Sequence, residues 1–146
     1  GEAADFNSEE GVLYAEIAAL ADDGTFRNIS LSNGTATNRV SIRYNTTSNS
    51  ISAFIYEGTT NVFSYDKIVS DVKDFHKVGI KYKSGDVSFW VDGVEVATSS
   101  SSFSFLTLTD LSFIRGDNVR FFYGKCKAIR VYKEALSDTD LQNLTI

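Results

Sequence analysis

Segment 76–98, HKVGIKYKSGDVSFWVDGVEVAT, constrains the fold of this chain more than any other stretch. Hydrophobic and polar residues alternate along it, and the hydrophobic positions are Val78, Ile80, Tyr82, Val87, Phe89 and Val91. A period of two residues predicts β-strands with one buried and one solvent-facing side. Asp92-Gly93 suits the two positive-φ positions of a type I′ turn. The segment therefore predicts a meander of three antiparallel strands.

The rest of the chain repeats this pattern in shorter pieces. Predicted strands cover residues 12–20, 26–32, 39–45, 51–56, 62–65, 103–108, 111–114, 119–123 and 125–132. Near the end, Ser137 is predicted to cap a short helix, with Leu141 and Leu144 docking on a sheet. Many short strands without proline predict an all-β fold. We expect a two-sheet antiparallel β-sandwich, or jelly roll, with a short C-terminal helix.

Length and composition narrow the class of protein. The 146 residues fit a single domain over residues 1–146, and the lack of methionine favours a module excised from a longer protein. A net charge of −5 and basic residues scattered along the sequence argue against nucleic acid and membrane as partners. One cysteine and one histidine exclude an internal disulfide and a Cys/His zinc site. Cys126 is predicted to be a small buried hydrophobic residue.

Three stretches resemble a known family: GVLYAEI near the start, KVGIKY followed by GDVSFWVDGVEV, and the closing FYGKCKAIRVYKEALSDTDLQNL. Together they resemble, over nearly the whole chain, laminin G-like domains of the concanavalin A-like lectin and glucanase superfamily. Similar patterns are typical of phage tail-fibre and structural proteins and of carbohydrate-binding modules. The resemblance implies a two-sheet jelly roll in which glycan recognition falls on the concave sheet or its rim loops. It does not imply a ligand, because such domains also bind proteins or hydrolyse glycans.

Catalytic residues are not evident. A glycosidase needs two carboxylates, roughly 5 to 10 Å apart, around the scissile bond. Hydrolases of the resembling superfamily carry them in an E-x-D-x-x-E arrangement on one strand, and this sequence has no such run. Glu16 stands alone in its strand, and His76 has no nucleophile motif beside it. We therefore predict that the protein is not an enzyme.

Alternation also identifies candidate ligand-binding residues on the non-core sides of strands. They are Trp90, Tyr56, Phe54, Arg43 and Lys81. Aromatic rings stack on the apolar faces of sugars, and neighbouring polar groups hydrogen-bond to the hydroxyls. On one interpretation these residues share the concave face and form a glycan site. On the other, Trp90 and Phe54 pack under a loop or under the C-terminal helix. The sequence leaves both interpretations open.

The sequence predicts no cofactor and no metal. Asp22, Asp23 and Asp117 lie in turns where a structural calcium could be held, but their spacing matches no calcium loop. The predicted function is a non-catalytic carbohydrate-binding module, extracellular or on a virion surface, whose partner is a glycan or polysaccharide. The alternative is a protein-docking domain that binds other subunits of a fibre, capsid or larger parent protein. A glycoside-degrading enzyme domain is the third reading.

Overall fold

The strands predicted from alternation assemble into two sheets in a computed structural model, which describes residues 5–104 and 107–146. Both sheets are antiparallel and have five strands each. The elements are β1 (Glu10–Ala19), β2 (Arg27–Ser32), β3 (Asn38–Tyr44), β4 (Ser50–Glu57), β5 (Thr60–Ile68), β6 (His76–Lys83), β7 (Val87–Val91), β8 (Val94–Ser99), β9 (Asp110–Ser112), β10 (Gly124–Tyr132) and α1 (Asp138–Thr145). Sheet I has the order β10-β1-β6-β7-β8, and sheet II has the order β5-β4-β3-β2-β9. The predicted β-sandwich with a short C-terminal helix is confirmed.

The hydrophobic core lies between the two sheets and follows the predicted alternation. In β1, for example, Leu13, Ala15 and Ile17 are fully buried and pack into the main core. From sheet II, fully buried Ile42 on β3 and Ile55 on β4 belong to the same core. Because successive side chains in a strand point to opposite faces, the residues between these positions lie on the outer faces of the sheets.

The meander predicted for residues 76–98 forms β6, β7 and β8 at one side of sheet I. Its second turn has positive φ at both central residues, 50° at Asp92 and 82° at Gly93. This confirms the prediction of a turn with two positive-φ positions, whose twist matches that of the paired strands.

Segment 113–123 differs from the prediction. Residues 119–123 were expected to form a strand, but only one bridge forms, between Asn28 and Phe121. The Asn28 amide donates to the Arg120 carbonyl at 3.0 Å, so the segment runs beside β2 beyond the end of β9. We call residues 113–123 the rim loop. Of the predicted strand 103–108, residues 105 and 106 lie outside the described part of the chain, and its described residues are not in a strand.

The C-terminal helix covers the outer face of sheet I. Ser137 caps α1 by accepting a hydrogen bond from the Asp140 amide at 3.2 Å, as predicted. Leu141 is fully buried against Val12 and Trp90, and Leu144 packs against the same cluster. Among the residues that the structure describes, no helix is long and apolar enough to cross a membrane.

Cys126 is exposed, contrary to the prediction that it would be buried. It lies on β10, which is an edge strand of sheet I. The pairing of β1 with β10 shifts register between Glu16 and Ile17, directly opposite this part of β10. Cys126 pairs with the core residue Ile17, but it stands at the edge of the sheet, where its side chain stays open to solvent.

Candidate functional site

The two outer faces of the sandwich differ in what covers them. On sheet I, Trp90 is 6% exposed beneath α1, and its indole Nε1 donates to Ser88 Oγ at 3.0 Å. Lys81, also on sheet I, is 5% exposed, with its Nζ 2.8 Å from Asp86 Oδ1. Two of the five predicted binding residues are therefore used for packing and pairing on sheet I. For Trp90 this corresponds to the second interpretation, in which the ring packs under the helix.

The other three predicted residues come together on the outer face of sheet II. Arg43 lies on β3, and Phe54 and Tyr56 lie on β4. The rings of Phe54 and Tyr56 stack at 6.2 Å between centroids. The Arg43 guanidinium carbon lies 4.0 Å from the centre of the Phe54 ring. Strand alternation thus predicts correctly that these three side chains point away from the core, while their role in binding stays a prediction.

Three further residues extend the cluster into a continuous row. Arg43 also lies 4.6 Å from the ring of Phe26, and Arg120 of the rim loop lies 4.2 Å from the same ring. At the opposite end, Arg39 lies 4.6 Å from the ring of Tyr56. We call this row the arginine–aromatic ladder, and its members in order of contact are Arg120, Phe26, Arg43, Phe54, Tyr56 and Arg39.

The rings of the ladder contact guanidinium groups, which the sequence did not predict. Phe54 is only 6% exposed because Arg43 and Tyr56 cover it. A cation over an aromatic ring is attracted by the ring quadrupole, worth about 0.5–2 kcal/mol. The rings therefore position the arginines, and both Arg43 and Tyr56 remain partly exposed at this face.

Sequence analysis missed the contribution of the rim loop. Arg115 and Arg120 are far from β3 in sequence, and the basic residues look scattered when counted along the chain. In the fold, the rim loop brings both arginines close enough to Arg39 to disfavour its charged state. Four of the six arginines thus gather at one face of an acidic protein. The only local signal was the alternation of arginine with aromatic residues in FIRGDNVRFF.

The electrostatics of the ladder reflect burial and mutual repulsion. Arg39 is 5% exposed, and burial, followed by repulsion from Arg115, lowers its pKa to about 10. Burial and the charge of Arg120 also lower the pKa of Arg43. The pKa of Arg120 is lowered for the same reasons, by burial and by Arg115. All three shifts mean that the surroundings disfavour the positive charge.

Hydrogen-bonding groups flank the ladder at β4 and β5. The Asp66 carboxylate accepts hydrogen bonds at one oxygen, Oδ1, from Ser52 Oγ at 2.5 Å and from Asn45 Nδ2 at 3.3 Å. Its other oxygen accepts no hydrogen bond from the described residues, and Asp66 is exposed. Such a carboxylate oxygen is free to accept a hydrogen bond from a ligand hydroxyl.

The three turn aspartates considered for calcium are each engaged within the protein. Asp22 accepts from Ser48 and Asn49, Asp23 pairs with Arg27, and Asp117 pairs with Arg115. No group of three metal-ligating side chains occurs within residues 5–104 and 107–146. That the protein holds no structural calcium stays a prediction.

His76 is held by acceptors at both ring nitrogens. Nδ1 lies 2.6 Å from Asp92 Oδ2, and Nε2 lies 2.9 Å from the Asp71 carbonyl oxygen. Burial lowers the pKa of His76, but the hydrogen bonds to Asp92 and Asp71 outweigh it, so the pKa is raised overall. With both nitrogens bonded in this way, His76 activates no serine and has a structural role at the β7–β8 turn.

This arrangement predicts a stability that depends on pH. The folded-state pKa of His76 lies above the ordinary value of about 6.5, so the imidazolium stabilises the fold fully below about pH 6.5. That stabilisation is lost as the pH rises through the folded-state pKa. Chemical denaturation of the wild type is expected to show that the free energy of unfolding decreases as the pH rises from about 6.5 through the folded-state pKa of His76. His76→Gln is expected to flatten the decrease, and an equal decrease in this variant would contradict the assignment.

Comparison with known proteins places the fold in a family. A family model, Laminin_G_3 of the concanavalin A-like lectin/glucanases superfamily, matches residues 4–142. The chain belongs to this family. The resemblance seen in the sequence is therefore confirmed for this Laminin_G_3 protein. None of the curated proteins compared matches it.

Solved structures with the same fold include proteins that bind sialylated glycans. The CBM40 domain of a Ruminococcus gnavus IT-sialidase, bound to α2,3 sialyllactose, has a TM-score of 0.72 and 15% identity, with 96% of this chain and 84% of that chain covered. A leech intramolecular trans-sialidase with 2,7-anhydro-Neu5Ac has a TM-score of 0.68 and 19% identity, with 95% of this chain and 23% of that chain covered. Mouse laminin α1 domains LG4-5 have a TM-score of 0.59 and 12% identity, with 90% of this chain and 38% of that chain covered. Because these sequence identities are below 20%, the structural likeness shows the fold of this Laminin_G_3 protein and nothing more.

Proposed function

We propose that this Laminin_G_3 protein is a non-catalytic glycan-binding module and that the outer face of sheet II is its binding face. The observation that carries the proposal is the arginine–aromatic ladder, flanked by the exposed Asp66 carboxylate. Convergent polar groups beside aromatic rings favour a glycan, whereas a docking surface would be a larger apolar patch. Solved structures of the same fold with bound sialyllactose also support a glycan as the ligand.

The extent of the ladder suits an oligosaccharide. Arg39 and Arg43 are four residues apart on β3, which corresponds to about 13 Å along the strand. A ligand that contacts both ends of the ladder must be longer than a single small ion. Asp66 then lies beside the ladder as an acceptor for sugar hydroxyls.

The carboxylate of Asp117, on the rim loop beside this face, is poorly suited to acid catalysis. Glycoside hydrolysis requires one carboxylic acid that stays protonated near neutral pH. Hydrogen bonds from Arg115 lower the pKa of Asp117, so this carboxylate is held in its charged form. This supports binding without turnover.

We also propose that the module acts outside a cell or on a virion surface, where several copies on one fibre or cell-wall protein would raise avidity through effective concentration. This setting is supported by the residue patterns that resemble phage structural proteins.

The test is a binding screen of the purified protein against neutral, carboxylated and sulfated glycans, comparing wild type with Arg43→Ala. We expect Arg43→Ala to weaken binding of every bound glycan by about tenfold or more, because a hydrogen bond to a charged group is lost. Arg130→Ala is the matched control, since Arg130 is an exposed arginine on sheet I near the ring of Tyr14. The proposal fails if wild type binds nothing, or if folded Arg43→Ala binds as tightly as wild type.

A further inference from the structure

The distribution of arginine on this protein is uneven. The chain carries a net charge of −5, yet four of its six arginines lie at the outer face of sheet II and the adjacent rim loop. Three of the lysines that pair with carboxylates lie on sheet I: Lys81 with Asp86, Lys83 with Glu10 and Lys127 with Glu16. A planar guanidinium presents paired N–H groups that match a carboxylate or sulfate, whereas an ammonium does not.

Three arginines of the ladder have no anionic partner. In the described part of the chain, Arg39, Arg43 and Arg120 form no ion pair. Two of the other three arginines are paired: Arg27 with Asp23 at 2.9 Å, and Arg115 with Asp117. Arg39 is buried and the other two are partly buried. Burying a charge without a counter-charge is costly, so this group of unpaired cations needs an explanation.

Hydrogen bonding leaves two of these three arginines unsatisfied. The Nε atoms of Arg39 and Arg43 are buried and have no hydrogen-bond acceptor among the described residues. Arg39 makes one hydrogen bond through Nη1, to the Ala36 carbonyl oxygen at 2.9 Å. The side-chain amide of Asn28, which lies opposite Arg43 in the strand pair, is fully buried, and neither its nitrogen nor its oxygen has a hydrogen-bond partner among the described residues. Among these buried side-chain atoms of Arg39, Arg43 and Asn28, three unpartnered donor nitrogens stand against one unpartnered acceptor oxygen.

The geometry of Arg43 indicates where an acceptor would lie. Phe26 and Phe54 are both within stacking distance of its guanidinium, at 4.6 and 4.0 Å. Rings that stack on a guanidinium leave its N–H edges free, and those edges donate in the plane of the group. An acceptor with two oxygens in one plane can bind such an edge with two parallel hydrogen bonds.

We infer that the glycan bound at this face carries carboxylate or sulfate groups, and that Arg39, Arg43 and Arg120, spread along the ladder, are the residues that bind them. The inference rests on the proposed function, because it names the class of glycan for the same site. An acidic sugar supplies both the counter-charge and the acceptors that the ladder lacks. A neutral sugar supplies acceptors alone and leaves three positive charges close together.

The test compares matched probes on wild-type protein by titration calorimetry. Sialyllactose against lactose tests a carboxylate, and dextran sulfate against dextran tests a sulfate. We expect at least one acidic probe to bind about tenfold or more tightly than its neutral match. Its affinity should fall with added salt, because mobile ions screen charges that are partly exposed.

Variants then assign the residues. Arg39→Gln and Arg120→Gln are each expected to lower affinity for the acidic probe about tenfold and to leave affinity for the neutral probe within about twofold. Arg130→Gln on sheet I should change neither the affinity for the acidic probe nor the affinity for the neutral probe. Equal affinity of wild type for acidic and neutral probes, lost in Arg43→Ala, would overturn the inference and leave the proposed function standing. Binding to no probe in the broad screen would overturn both.

Discussion

Trp90→Ala is expected to lower the free energy of unfolding by about 3–5 kcal/mol, the range for truncating a large buried aromatic side chain. Trp90 lies between sheet I and α1, in contact with Val12 and the fully buried Leu141. Removing the indole leaves a cavity beneath the helix and removes its hydrogen bond to Ser88. Because the ladder lies on the opposite sheet, glycan affinity of the folded variant should equal that of wild type.

Circular dichroism during urea denaturation is the suitable measurement, since Trp90 is the only tryptophan and its fluorescence is lost in the variant. Trp90→Phe is the control, because a smaller ring keeps part of the packing and should cost less stability. A folded Trp90→Ala protein of wild-type stability that no longer binds glycan would show that Trp90 acts in binding and not in packing.

Gly11→Ala is expected to lower the free energy of unfolding by about 3 kcal/mol, at the upper end of the usual cost of overpacking. A Cβ at position 11 would meet the Tyr132 carbonyl oxygen of β10 and would lie 2.5 Å from the Tyr82 hydroxyl. The Tyr132 contact is with backbone of the neighbouring strand, so a side-chain rotation cannot relieve it. Tyr82, which donates to the Asn7 carbonyl at 2.7 Å, would also have to move.

Gly79→Ala is the matched control on β6, the strand beside β1 in sheet I. A Cβ at position 79 meets only the Thr145 side-chain methyl, at 3.4 Å. Both glycines lie in strands, so the change in intrinsic strand preference is the same. Urea denaturation should show Gly11→Ala to be clearly less stable than Gly79→Ala. Equal stability of the two variants would show that the β1–β10 pairing can shift to admit the methyl group.

Local patterns in the sequence predicted most of the fold. The Asp92-Gly93 turn, the Ser137 cap and the alternation of β3 and β4 depend on neighbours within a few residues, so they are visible in a single sequence. Residues 119–123 look like a strand by composition, but only Phe121 forms a β-bridge there. Strand pairing depends on distant residues, and composition does not report them.

The candidate site was predicted in part for the same reason. Alternation correctly separates Arg43, Phe54 and Tyr56 from the core, but it treats Trp90 identically, because it does not tell which sheet a strand joins. The contribution of Arg120 depends on the path of the rim loop across about eighty residues of sequence from β3. Only the assembled fold shows that rings of the ladder contact guanidinium groups.

The ladder also bears on the entropy of binding. A free arginine side chain loses up to about 2 kcal/mol of rotamer freedom when a ligand fixes it. In this protein, stacking against Phe26, Phe54 and Tyr56 has already restricted the arginines before any ligand arrives. A preorganised surface loses less conformational freedom on association, so under the proposed function even a small oligosaccharide with few contacts would gain affinity from it. The aromatic rings would thus strengthen binding by keeping their cationic neighbours still.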